Sequence, residues 1–169
     1  LTKAISNSFP DCLIIIGGPQ VSTQNNPLEV FSDADIAVYG EGEIVFTDIL
    51  RSYSNGLGYD HIPGLVINKG EINTGAPKRI SNLSQLPSPY LTGCFDRILN
   101  DTIFDKETGT KIGIDFQATF SSDRGCPYGC NFCAWGPEAL AKLYKFPMER
   151  IIEEMQWVGE HKIRYLYGD

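Results

Sequence analysis

No stretch of this chain is apolar for long enough to cross a bilayer; runs such as Leu13–Ile16 fall far short of the ~20 residues a spanning helix needs. Positive charge is scarce. Lys and Arg number 14 against 21 Asp and Glu, a net charge of −7, which argues against a general nucleic-acid surface. Histidine is nearly absent: His61 and His161 are the only two, and neither pairs with another residue at metal-ligand spacing. There is no internal repeat, no low-complexity tract and, in the chain as given, no secretory leader. A disulfide framework therefore has no support, and the thiols suit a reducing, cytoplasmic setting. What the chain does have is apolar substance. Hydrophobic residues make up 42% of 169 positions and aromatics 11%, enough for a packed core in one domain or in pieces of two.

The five cysteines are unevenly placed. Cys12 and Cys94 stand alone, whereas Cys126, Cys130 and Cys133 share one short segment, Arg124-Gly-Cys-Pro-Tyr-Gly-Cys-Asn-Phe-Cys133. The spacing is C-x3-C-x2-C, with no fourth thiol beside it. A closed structural zinc site wants four ligands, and neither ferredoxin spacing fits. Three thiolates can hold three irons of a cubane [4Fe–4S] cluster and leave the fourth open to a substrate or cofactor. An iron–sulfur loop is the leading reading, with zinc and unliganded thiols as the alternatives. Gly125 and Gly129 suit a backbone that must fold tightly around such a group.

This segment resembles the cluster loop of radical S-adenosylmethionine (SAM) enzymes. The resemblance implies that Cys126, Cys130 and Cys133 hold the cluster and that the amino and carboxylate groups of SAM chelate its open iron. It implies reductive cleavage of SAM to a 5′-deoxyadenosyl radical that abstracts hydrogen from a substrate. Phe132 matches the aromatic position near the adenine in that family, and it reads equally well as a packed loop aromatic.

The first fifty-odd residues read as α/β. Leu1–Phe9 fits the end of a helix halted near Pro10. Cys12–Ile16 fits a buried parallel strand ending in Gly17-Gly18-Pro19. Asp35–Tyr39 is a second strand, ending in Gly40-Glu41-Gly42-Glu43. A helix follows, with Ile44, Phe46, Ile49, Leu50 and Tyr53 as its apolar side. Ligands of doubly wound sheets bind beyond the carboxyl ends of the strands. A strand ending in GGP, then a strand ending in GEGE and a helix, ahead of a radical SAM loop, is similar to the C-terminal half of a cobalamin-binding domain fused to a radical SAM barrel. That resemblance implies contact of Gly17 and Gly18 with the nucleotide tail of cobalamin, with Gly40, Glu41 and Gly42 as nearby loop candidates. His61-Ile-Pro-Gly64 carries the H-x-x-G part of a cobalt-ligating loop. It has Tyr59 where Asp is required and follows the GG turn, so cobalt ligation by His61 is not expected.

Residues 56–110 read as a proline-rich connector with one hairpin, Leu65–Asn73, turning at Lys69-Gly70. Leu86–Gly93 reads as an extended tether, and Phe95–Leu99 as a short helix. Cys94 reads as a packed thiol rather than a fourth ligand. Ile112–Phe120 is expected as a first barrel strand that delivers the cysteine loop at its carboxyl end, where α/β barrels place catalytic groups. Pro147–His161 is expected as a helix with a stripe of Ile151, Met155 and Val158. Glu149, Arg150, Glu153, Glu154 and Glu160 are assigned to its wet face. Ile163–Tyr167 is the next strand, with Asp169 at its end.

The expected architecture is thus α/β: residues 1–55 as the C-terminal part of a doubly wound, Rossmann-like or flavodoxin-like cobalamin-binding domain, 56–110 as a linker, and 111–169 as the first β/α units of a partial TIM-type radical SAM barrel. The chain reads as a piece of a longer enzyme, inactive by itself. The resemblance implies three cofactors (a [4Fe–4S] cluster, SAM and cobalamin) and methyl transfer to an unactivated carbon or phosphorus centre. Its partners would be a small-molecule or peptide substrate and an electron donor such as flavodoxin or ferredoxin. The competing readings are a cobalamin-dependent radical SAM cyclase or rearrangement enzyme, and a non-catalytic iron–sulfur module for electron transfer or redox sensing. A methylthiotransferase would need a second set of cluster cysteines, which Cys12 and Cys94 do not supply.

Overall fold

Pro10 follows a first helix, α1 (Thr2–Ser8), and the apolar run after it forms the short strand β1 (Ile15–Ile16). The computed structural model describes residues 1–18, 21, 26–100, 116–128 and 142–168. These divide into two compact units, Leu1–Ile80 and Ser81–Asp169.

In the first unit, α2 (Pro27–Val30) is followed by β2 (Ile36–Val38), α3 (Gly42–Ser54), β3 (Leu65–Ile67), a 3₁₀ turn at Asn68–Gly70, and β4 (Ile72–Asn73). Among the described residues the sheet order is β1-β2-β3-β4. β1 and β2 are parallel, in register Ile15 to Ile36, whereas β2–β3 and β3–β4 are antiparallel. The sheet is therefore mixed. The hairpin expected between Leu65 and Asn73 does form, but it joins the sheet rather than standing apart in a connector, because Leu65, Val66 and Ile67 are apolar on both faces and all three are buried. Side chains alternate across β2 as strand geometry requires. Ile36 and Val38 pack with Val45 and Ile49 of α3, while Ala37 and Tyr39 pack with Leu28 of α2 on the other face. The Asp35 carboxylate fixes the edge strand by accepting from Ile14 N at 2.7 Å.

The buried side of α3 differs from the expected one. Val45, Ile49 and Ser52 are its buried residues, at i, i+4 and i+7, with Val45 and Ile49 packed on the sheet, and Ile44, Phe46, Leu50 and Tyr53 lie exposed. Of the expected stripe only Ile49 is inside. A small polar residue such as Ser52 hides that face from a reading based on large apolar side chains.

The second unit contains a 3₁₀ turn at Leu83–Gln85, α4 (Asp96–Asn100), β5 (Gln117–Phe120), β6 (Asp123–Arg124), β7 (Tyr144–Lys145), α5 (Met148–Glu160) and β8 (Tyr165–Gly168). β5 and β8 pair in parallel, in register Gln117 to Tyr165, with α5 between them in sequence. The expected β-α-β order is present; residues 112–115 of the expected first strand and Asp169 lie outside the described residues. The segment expected as an extended tether is extended only at its start. Leu86, before Pro87, has φ −83° and ψ 122°. The chain then turns, with Thr92 N donating to Ser88 O at 3.2 Å. Tyr90 ties this turn to β5: its hydroxyl donates to Thr119 O at 2.5 Å and accepts from Thr119 N at 2.9 Å.

Helix α5 holds a second correction. Its inward residues are Ile151, Glu154 and Val158, and Met155 is exposed. Glu154, assigned to the wet face from its charge, is buried because Arg150 follows it inside. Arg150 Nε donates to Glu154 Oε1 at 2.8 Å, its Nη1 donates to Leu86 O at 2.5 Å, and its guanidinium lies 4.4 Å from the Phe146 ring centroid. A paired, stacked guanidinium makes burial of the carboxylate tolerable.

Candidate cofactor sites

The cysteine loop leaves β6 and its chain returns along β7. These two-residue strands pair antiparallel, Asp123 with Lys145 and Arg124 with Tyr144, so the loop is closed at its base. Phe146 N donates to Ser122 O at 3.1 Å, one residue beyond the ladder. The Arg124 guanidinium lies 5.8 Å from the Phe146 ring centroid. This neck was not anticipated from the sequence; the alternation in Tyr144-Lys145-Phe146 was its one available signal. Beyond the neck Gly125 takes φ +108°, a left-handed conformation that turns the chain sharply. Cys126 follows, half-buried, and Tyr128 is exposed.

Cys130, Phe132 and Cys133 lie outside the described residues. Among those described, no three His, Cys, Asp or Glu side chains gather as a metal site. The fit to a cluster therefore rests on the donor set and on the neck. Three thiols on one loop suit iron–sulfur binding better than closed zinc, and the one described thiol sits just past a pinned base.

The second candidate is the carboxyl edge of the sheet in the first unit. Because β1 and β2 are parallel, Gly17-Gly18 and Gly40-Glu41-Gly42 emerge at the same edge. β3 is antiparallel, so its entry residue Gly64 lies there too. The five expected contacts are not equivalent. Among the described residues, a Cβ at Gly17 would make only ordinary contact with Val38, and one at Gly18, where φ is +86°, would meet nothing within 4 Å. One at Gly42 would likewise meet nothing. Bare backbone facing open space fits a bulky group lying on the end of β1. Gly40 is different: its φ is +72°, and a Cβ there would lie 3.2 Å from Pro77. The Glu41 carboxylate is turned to Ile80 N, which it meets at 2.6 Å. His61 is exposed on the loop before β3, with Nε2 3.5 Å from Ser52 Oγ.

No protein-family model matches the chain. Relatives that match it along nearly its whole length are methyltransferases. TokK of Streptomyces tokunonensis, a cobalamin-dependent radical SAM methyltransferase, is 32% identical over 171 residues, which span 99% of this chain and 24% of that protein. The 2-(S-pantetheinyl)-carbapenam-3-carboxylate methyltransferase of Streptantibioticus cattleyicolor is 31% identical over 173 residues, again 99% of this chain and 24% of that protein. This chain thus spans about a quarter of the length of these relatives. Among solved structures, the radical SAM methyltransferase TsrM from Kitasatospora setae, determined with cobalamin and a [4Fe–4S] cluster bound, superposes with a TM-score of 0.65 at 18% identity, over 99% of this chain and 32% of that one. At that identity the likeness shows the fold, α/β with a mixed sheet. No helix among the described residues is long and apolar enough to cross a membrane.

Proposed function

We propose that the protein to which this chain belongs is a cobalamin-dependent radical SAM enzyme that transfers a methyl group to an unactivated centre of a small molecule or peptide. The observation that carries the reading is the C-x3-C-x2-C loop, held at its base by the β6–β7 ladder shortly after β5. Relatedness along 99% of this chain to methyltransferases, one of them cobalamin-dependent and radical SAM, supports it. When bound, the cluster would supply the electron that cleaves SAM to an adenosyl radical, and cobalamin would supply the methyl group.

The chain's own residues do the holding. Cys126, Cys130 and Cys133 would ligate the cluster as thiolates and leave one iron open, and Phe132 would lie against the adenine. The β6–β7 neck fixes where the loop starts and ends, which limits the conformational entropy lost when three thiols converge. Gly17, Gly18 and Gly42 offer the backbone that the nucleotide tail of cobalamin would approach. The first unit would thus be the end of a cobalamin-binding domain and the second the start of a SAM barrel, working in the cytoplasm with a flavodoxin or ferredoxin as electron donor.

The test is anaerobic reconstitution of the full-length protein with iron and sulfide, then incubation with SAM and a reductant, with and without cobalamin. We expect 5′-deoxyadenosine and, with cobalamin, S-adenosylhomocysteine. Formation of neither under any condition would sink the proposal. Cys130→Ala should abolish the cluster's visible absorbance, and its retention would show that the loop is misassigned.

A further inference from the structure

After β4 the chain does not leave the sheet. Thr74 N donates to Leu65 O at 2.9 Å, and the residues that follow return across the carboxyl edge as a strap. Two kinds of contact seat it. The first is steric. Pro77 lies over two glycines: a Cβ at Gly40 would come within 3.2 Å of its ring, and one at Gly64 within 3.0 Å of its Cβ and 3.1 Å of its Cα. Both glycines have positive φ, +72° and +88°, so neither position tolerates a side chain on conformational grounds either.

The second contact is polar. Glu41 occupies the N-cap position of α3, yet its side chain makes no cap hydrogen bond to that helix. Its Oε2 instead accepts from Ile80 N at 2.6 Å, and its Oε1 lies 4.0 Å from Arg79 Nη2. The carboxylate is 12% exposed and the guanidinium 18%, so the pair is shielded from bulk water. A charge-assisted hydrogen bond to a main-chain amide, 39 residues away in sequence, is among the stronger ties available to a loop. The edge is therefore asymmetric. Among the described residues, Pro77 closes it over Gly40 and none comes within 4 Å of a Cβ at Gly18 or Gly42.

We infer that Glu41 is a positioning residue: with Pro77 it locks the Gly40–Gly42 loop under the strap and so sets the affinity of the sheet edge for the nucleotide tail of cobalamin. This deepens the cobalamin reading above and rests on it. Glu41 acts through the loop, not as a ligand of the corrinoid.

The test compares two corrinoids on the full-length protein, cobalamin and cobinamide, the second lacking the nucleotide tail; dissociation constants are read by absorbance titration. The unsubstituted protein should prefer cobalamin. Glu41→Ala should weaken cobalamin binding about tenfold while cobinamide changes by less than about twofold, the scale of losing one charge-assisted hydrogen bond. Glu41→Gln keeps an oxygen that can accept from Ile80 N and should stay within about threefold of the original preference. Pro77→Gly, which removes the steric seat alone, should also lower the preference and serves if Glu41→Ala does not fold. A preference unchanged in Glu41→Ala and Pro77→Gly, or an equal loss for both corrinoids, overturns the positioning role. No preference in the unsubstituted protein overturns the tail-binding reading itself, and the inference with it.

Discussion

Gly70→Ala tests the packing of the first unit at its tightest point. Gly70 closes the β3–β4 turn with φ +94°, and a Cβ there would collide with Asn26 Nδ2 and lie 2.5 Å from Asn26 Cγ and 2.6 Å from its Oδ1. No small relaxation clears those distances, so the Asn26 side chain must leave. It is not idle: Asn26 is the N-cap of α2, its Oδ1 accepting from Leu28 N at 3.0 Å. Two costs follow. A left-handed conformation for a non-glycine residue costs about 1–2 kcal/mol, and loss of an Asn cap about 1 kcal/mol. Stiffening of the unfolded chain by Ala returns about 0.5 kcal/mol, which leaves a net destabilisation of about 2 kcal/mol. Native-state hydrogen exchange of the β3 and β4 amides reads this sheet directly, whatever other domains are present. In an Asn26→Ala background the obstacle and the cap are already gone, so Gly70→Ala should cost about 1 kcal/mol less there. Strict additivity of the two substitutions would refute the collision, and a cost below about 0.5 kcal/mol for Gly70→Ala alone would refute the turn as described.

Two further outcomes follow from groups buried in each unit. Glu154→Leu strands the Arg150 guanidinium between Leu86 O and Phe146 and should destabilise α5 by about 2–3 kcal/mol. Adding Arg150→Met should recover most of that loss; a double variant no more protected against exchange than Glu154→Leu would show that the pair is not what holds the helix. Tyr39 is 4% exposed at the end of β2, and burial raises its hydroxyl pKa above the ordinary 10.0. The folded state keeps this proton longer than the unfolded state does, so the associated stability is complete below pH 10.0 and is lost as pH rises through the higher folded value. Tyr39→Phe should therefore flatten the alkaline decline in stability, and an unchanged decline would contradict the assignment.

Features that depend on local chain chemistry were readable from the sequence. Glycines mark where β1 and β2 end, Lys69-Gly70 marks the hairpin turn, and Pro147 marks the start of α5. Each follows from what a residue permits at its own φ and ψ. Features that depend on partners distant in sequence were not. The hairpin's place in the sheet needs β2 beside it, Glu154 goes inside only because its helix neighbour Arg150 is itself held by the distant Leu86 carbonyl, and Glu41 is turned away from α3 by an amide at Ile80. Charge patterning assigns a carboxylate to water unless a buried partner is visible, and neither partner was.

Helix α3 shows the same limit from the apolar side. It carries two stripes, and a sequence reports both without saying which meets the sheet. Val45, Ile49 and Ser52 form the one that does, while Phe46, Leu50 and Tyr53 fall at i, i+4 and i+7 and are all exposed. The exposed stripe has the larger side chains and so dominates any reading of periodicity, yet the fit against β2 and β3 is decided by shape. A helix seated against a close-packed sheet favours short side chains on the inner face, because extra volume there must displace strand residues. Apolar bulk therefore locates helices in a chain such as this one more dependably than it orients them.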